Sequence, residues 1–294
     1  MLERMNHAFD LRAPRVSCRA SATIALLVAF APGALAAQVE VSSSLAFNSQ
    51  YQMRGLTTTN RAVVQSDLLL AIPVRGGSVS IGAWASFEGG RYGDPERHIS
   101  ENGGERAGLA EYDLRVQAAR RIGHADLTIG AMSYAFPNTR GTTREANTAE
   151  AFAILGFDSP LSPSVGLWYD VAKIRGSYTQ VAIAHDVASV SLAFIAGVNL
   201  GQSVGDGGVL GYYEASGLTH FEISAGRRWS MGALGITTSA HLILGRDART
   251  RVTAPGVTGG AKFWFGTTLS WSGRPGRGAR EVPSTEQESD TQPR

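Results

Sequence analysis

The chain has 294 residues, 43% hydrophobic and 18% charged, which is enough for one large domain. Its formal charge of +2 includes four arginines and two acids within the first 36 residues. Without them the balance is zero, which leaves no cationic excess to favour nucleic acid. The single cysteine, Cys18, excludes a disulfide framework and a cysteine-based metal site.

Arg4, Arg12, Arg15 and Arg19 precede an uncharged run from Ser21 to Val39 rich in Ala, Leu, Val and Phe. Ala34-Leu35-Ala36 then offers small residues for cleavage between Ala36 and Ala37. This basic, apolar, small-residue order predicts a secretory signal peptide over residues 1–36. Its apolar part before Pro32 spans only about ten residues, short of the ~20 a membrane helix requires. Cys18 precedes that apolar core, whereas a lipoprotein acceptor would follow it. No later run has the length and apolarity of a membrane helix, so a membrane location would have to be reached with strands.

From Val39 to Gly55, residues Val39, Val41, Leu45, Phe47, Tyr51 and Met53 share one parity. Glu40, Ser42, Ser44, Asn48, Gln50, Gln52 and Arg54 share the other. Alternate side chains of a strand point to opposite faces, so this segment has one greasy and one wet face. The texture recurs at 62–74, 78–88, 110–121, 125–136, 148–158, 164–173, 177–187, 189–199, 217–229, 233–245 and 260–271. Most of these segments are about 10–14 residues, the length a tilted strand needs to cross a bilayer. Leu68, Leu114, Leu167 and Phe263 belong to the predicted outward, apolar faces. A closed barrel with lipid outside and water inside supplies both environments and removes unpaired edges.

The connections alternate as well. Tight links such as Arg75-Gly76-Gly77, Ile122-Gly123-His124 and Ser230-Met231-Gly232 alternate with long polar ones at 89–109, 137–147, 200–216 and 246–259. Short turns on one side and long loops on the other predict an outer-membrane barrel of about twelve antiparallel up-and-down strands over 37–271, with both termini periplasmic. Gly266, Leu269 and Trp271 follow the order of a terminal strand read by barrel-assembly machinery. Residues 272–294 are rich in Gly, Pro, Ser, Glu and Arg and predict a disordered periplasmic tail.

Ser49, Tyr51, Arg54 and Gly55, followed by Gln65, Gly82-Ala83-Trp84, Tyr134-Ala135-Phe136-Pro137, Glu150, Ser162-Pro163-Ser164, Tyr169-Asp170 and Tyr178, resemble in order and spacing the TorF-type family of outer-membrane porins. The likeness runs from about residue 43 to 180. Phe136 stands where the family more often has Tyr, and the loop at 89–109 is longer. The resemblance implies a barrel fold, an outer-membrane compartment and transport.

The candidate pore-lining residues are Arg54, Gln65, Asp67, Asp113, Arg115, Glu150, Asp170, Glu222 and Arg228. Two roles compete for them. Arg54, Asp67, Asp113 and Arg115 either brace the wall as cross-strand ion pairs or line a constriction that selects solutes by charge. Across all inward positions acids outnumber bases eight to five, a faint cation preference. Trp84, Tyr134, Trp168 and Trp264 would narrow the lumen, although Trp168 equally fits an aromatic belt at the interface.

Catalytic readings are weaker. Gly201-Gln202-Ser203-Val204-Gly205 matches a nucleophile elbow, but the glycines after it oppose the helix that motif needs. The His-x-Ser-Asn motif of outer-membrane phospholipases and lipid A deacylases is absent, because His220 and His241 are followed by other residues. His220 and Glu222 share a face and are expected to pack in the lumen. Asp94, Glu96 and Glu101 are expected to form a solvated loop rather than a Ca²⁺ site. No cofactor and no catalytic residue is expected. The sequence therefore predicts a porin for small hydrophilic solutes, with membrane lipid, lipopolysaccharide and the assembly machinery as partners. The alternative is a non-conducting structural or surface-binding barrel.

Overall fold

The computed structural model describes residues 39–90, 98–100, 107–138, 147–203 and 211–273. The expected signal peptide with its Ala36/Ala37 cleavage site, Cys18, the acids Asp94, Glu96 and Glu101, and the tail from 274 onward lie outside the described residues.

The chain forms β1 (Glu40–Asn48), β2 (Tyr51–Met53), β3 (Leu56–Thr59), β4 (Val63–Val74), β5 (Gly77–Glu88) and β6 (Gly108–Ile122). It continues through β7 (Ala125–Ala135), β8 (Thr148–Phe157), β9 (Ser164–Asp170), β10 (Ser177–Val187) and β11 (Val190–Leu200). Then come β12 (Gly217–Met231), β13 (Leu234–Gly245), a 3₁₀ turn at Arg249–Arg251, β14 (Val252–Ala254), β15 (Val257–Thr258) and β16 (Ala261–Gly273). Twelve of these strands, all except β2, β3, β14 and β15, close a barrel in chain order. β16 pairs antiparallel with β1 to complete the ring. The fold is thus a closed twelve-stranded antiparallel β-barrel.

Following the paired registers once round the ring returns to β1 displaced by about 16 residues. With twelve strands spaced ~4.8 Å apart, that stagger gives a tilt of roughly 40–45° and a wall radius of about 12–13 Å. Such a ring is wider than the eight-stranded barrels that side chains alone fill.

The inside-outside assignment follows the alternation. Leu68 (44% exposed), Leu114 (54%), Leu167 (44%) and Phe263 (62%) all point out of the barrel. On the opposite parity, Glu111, Glu150, Asp170, Asn199 and His220 are buried. This is the reverse of a water-soluble protein, and it is the arrangement a lipid environment demands.

Three segments depart from the sequence reading. The first strand was expected to run to Arg54 but ends at Asn48. Arg54 (φ 50) and Gly55 (φ 82) adopt the left-handed conformation and turn the chain back into the β2–β3 hairpin. Strand β9, the seventh of the barrel, stops at Asp170 instead of reaching 173. Asp170 Oδ1 accepts the backbone N–H groups of Ala172, Lys173 and Ile174 at 3.0, 2.7 and 3.0 Å, folding the chain away from the ladder. The loop at 246–259 carries the 3₁₀ turn and the β14–β15 pair.

Candidate functional site

The β2–β3 hairpin belongs to the link between β1 and β4, yet it contacts the far side of the ring. Strand β9 lies halfway round the barrel from β1. Arg54 at the hairpin tip stands 4.9 Å from the ring centroid of Trp168 on β9 and 5.0 Å from that of Tyr178 on β10. Its guanidinium donates two hydrogen bonds to Glu150 on β8, from Nη1 to Oε1 at 2.8 Å and from Nη2 to Oε2 at 2.6 Å. Nη2 also donates to the Tyr134 hydroxyl at 3.3 Å, and that hydroxyl donates to Glu150 Oε2 at 2.6 Å. The hairpin is therefore a bar across the lumen at the end where the long loops lie.

Several further contacts hold the bar in place. Tyr213 donates its hydroxyl to the Arg54 carbonyl at 3.1 Å and stacks on Tyr178 with planes 10° apart. Lys262 on β16 donates to the Gly55 carbonyl at 2.5 Å and to Thr57 Oγ1 at 3.1 Å. Gln202 donates to Glu150 Oε1 at 3.4 Å and to the Gly176 carbonyl at 3.1 Å. Gly55 fits closely over His220, where a Cβ would lie 2.5 Å from the imidazole Cγ. Arg54 belongs to the hairpin and not to a spanning strand. Burial is the strongest single influence and works to lower its pKa. The hydrogen bond to Glu150 and the electrostatic attraction of Tyr134, Glu150 and Tyr213 together outweigh it, so the net shift is upward and the guanidinium stays charged.

The remaining predicted pore-lining residues fall into separate groups. Arg115 and Asp67 form a bidentate pair at 2.8 and 2.9 Å across β5, with both side chains partly exposed. Gln65 accepts from Asn48 Nδ2 at 2.8 Å. Asp113 is buried on the same face as Glu111. Asp170 holds the loop after β9 and accepts from Thr148 Oγ1 at 2.5 Å. Glu222 bonds His241 Nδ1 at 2.7 Å. Arg228 lies near the turn end, its Nη2 3.3 Å from where a Cβ on Gly235 would stand. Trp168 is a lumen residue, which removes its alternative place in an interfacial belt.

The structure adds Tyr213 and Thr57, which the sequence reading did not name, and brings in Gly55 and Gln202, which it named only within the family resemblance and the elbow-like sequence. Ser203, the serine of the elbow-like sequence, contacts Asn199 and Ser216. Among the described residues, no cluster of three His, Cys, Asp or Glu side chains has a metal-binding arrangement.

No protein-family model and no curated protein matches the sequence. Among solved structures it is similar to the KdgM porin, with 7% identity, a TM-score of 0.41 and coverage of 79% of this chain and 98% of that one. It is also similar to the COG4313 outer membrane channel from Pseudomonas putida F1, with 10% identity, a TM-score of 0.49 and coverage of 80% and 95%. Outer membrane phospholipase A from Escherichia coli is similar at 13% identity and a TM-score of 0.43, covering 78% of this chain and 89% of that one. These likenesses concern barrel shape, and they include an enzyme as well as channels.

Proposed function

We propose that this protein is an exported outer-membrane channel that passes small hydrophilic solutes by passive diffusion, as its likeness to the TorF-type family implies. The observation that carries this reading is the wall itself, apolar on its outer face and polar on its inner face through twelve strands. In this reading both termini are periplasmic, lipid and lipopolysaccharide contact the outside, and barrel-assembly machinery inserts the chain. Selection works without catalysis. The Arg54 bar narrows the lumen at the loop end, and the Asp67–Arg115 pair and Glu222 present charge on the turn side.

A second reading is favoured by the same bar. A hairpin docked across the full ring also suits a non-conducting barrel with a structural or surface-binding role. Planar-bilayer recordings of the refolded protein separate the two, using the wild type and a variant with residues 50–60 replaced by a short Gly-Ser linker. Discrete conductance steps, larger in the linker variant, are expected. Absence of steps from both proteins while folded would overturn the channel reading.

A further inference from the structure

Three lumen side chains stand in hydrogen-bond order on β12 and β13, on the turn side of the Arg54 bar. Glu222 Oε1 lies 2.7 Å from His241 Nδ1, and His241 Nε2 lies 2.9 Å from Ser239 Oγ. Ser239 and His241 are two residues apart on one strand and therefore share a face. A carboxylate only accepts, so Nδ1 of the neutral ring carries the proton and Nε2 turns its lone pair to the serine hydroxyl. The imidazole cannot swing freely, because it stacks on Trp264 with ring centroids 3.7 Å apart and planes 8° apart. Nucleophile, base and orienting acid are thus joined through the same ring nitrogens that a serine-hydrolase triad uses.

The ground around the serine is open in a specific way. Its cross-strand partners on both sides are glycines, Gly226 on β12 and Gly266 on β16. No side chain of either neighbour covers Oγ. The Asn48 carboxamide turns its Oδ1 toward Gly266, and its Nδ2 donates to Gln65. Glu222 and His241 are each 16% exposed, so lumen water and a small solute reach them.

We propose that Ser239, His241 and Glu222 form an acyl-transfer site for small carboxylic esters that enter the lumen. Ser239 Oγ attacks the ester carbonyl carbon while its proton passes to His241 Nε2. The bond to the alcohol oxygen then breaks, and the alcohol leaves with that proton. Water, deprotonated by His241, attacks the acyl-serine, which releases the carboxylic acid and restores the hydroxyl. Glu222 is a positioning residue that fixes the tautomer and stabilises the imidazolium. The site does not depend on the channel reading, since a non-conducting barrel open at the turn end would carry it equally.

The test is covalent labelling of the full-length protein, refolded in detergent micelles, with a fluorophosphonate probe. One adduct is expected, mapped by mass spectrometry to Ser239 and absent from Ser239→Ala. His241→Gln and Glu222→Gln should slow its formation by on the order of 10²-fold or more. Ser203→Ala should label like the wild type. Hydrolysis of p-nitrophenyl acetate should fall in parallel with labelling. The wild-type adduct is decisive by itself. If the folded barrel gives no adduct at Ser239, or labels equally fast as Glu222→Gln, the proposal is wrong.

Discussion

Arg54→Met keeps the aliphatic stem of the hairpin tip and removes its charge. The guanidinium makes bonds of 2.8 and 2.6 Å to Glu150, a carboxylate whose side chain is only 1% exposed. Removing one partner of a buried pair typically costs ~3–5 kcal/mol, because the other charge is left stranded. Contacts with the rings of Trp168 and Tyr178 are lost as well, which pushes the cost toward the upper end. The hairpin is not part of the ring, so the loss falls on its docking and not on closure of the barrel. At 1.4 kcal/mol per tenfold, the undocked-to-docked ratio should rise by on the order of 10³-fold. Planar-bilayer recordings read this directly as larger and longer-lived conductance steps. The urea midpoint of the barrel should stay close to that of the wild type. An Arg54→Met channel that is folded and electrically indistinguishable from the wild type would refute the idea that charge holds the hairpin across the lumen.

Gly55→Ala should act in the same direction, because a Cβ there meets the His220 ring at 2.5 Å and the backbone has φ 82. Tryptic cleavage after Arg54 in the folded protein should become faster, and unchanged cleavage would contradict the close fit. Leu114→Arg, on the lipid face in the middle of β6, should destabilise the barrel by about 2–4 kcal/mol in urea titrations from lipid vesicles. A neutral result would mean that this face does not meet hydrocarbon. Arg115→Ala breaks a partly exposed bidentate pair and should cost only about 1–2 kcal/mol in the same titration. A loss as large as that of Leu114→Arg would show that the pair is far drier than its exposure indicates.

The barrel wall was readable from the sequence because period-2 alternation encodes which face meets lipid. Leu68, Leu114, Leu167 and Phe263 needed nothing more than parity to be placed. The β2–β3 hairpin was not readable by the same rule. Tyr51 and Met53 continue the alternation of β1, and a strand inside a barrel has the same period as one in its wall. The usable signal was the Arg54-Gly55 pair standing between two β-prone runs, Tyr51–Met53 and Leu56–Thr59, which is a hairpin signature. The partners of the charged residues were hidden for a different reason. Glu150 meets Arg54 across the whole ring, 96 residues away, and only barrel closure and the in-folded chain bring them together. Ser239 stood out least, since one serine among the polar inward positions of β13 carries no local mark.

The lipid-outside, water-inside wall is tested most directly by site-directed spin labelling along β6 in reconstituted bilayers. Single cysteines at Tyr112, Asp113, Leu114, Arg115 and Val116 are practical because Cys18 is the sole native cysteine. Labels at 112, 114 and 116 should collide readily with dissolved oxygen, and those at 113 and 115 should not. The inverse phase, or no alternation at all, would contradict the account.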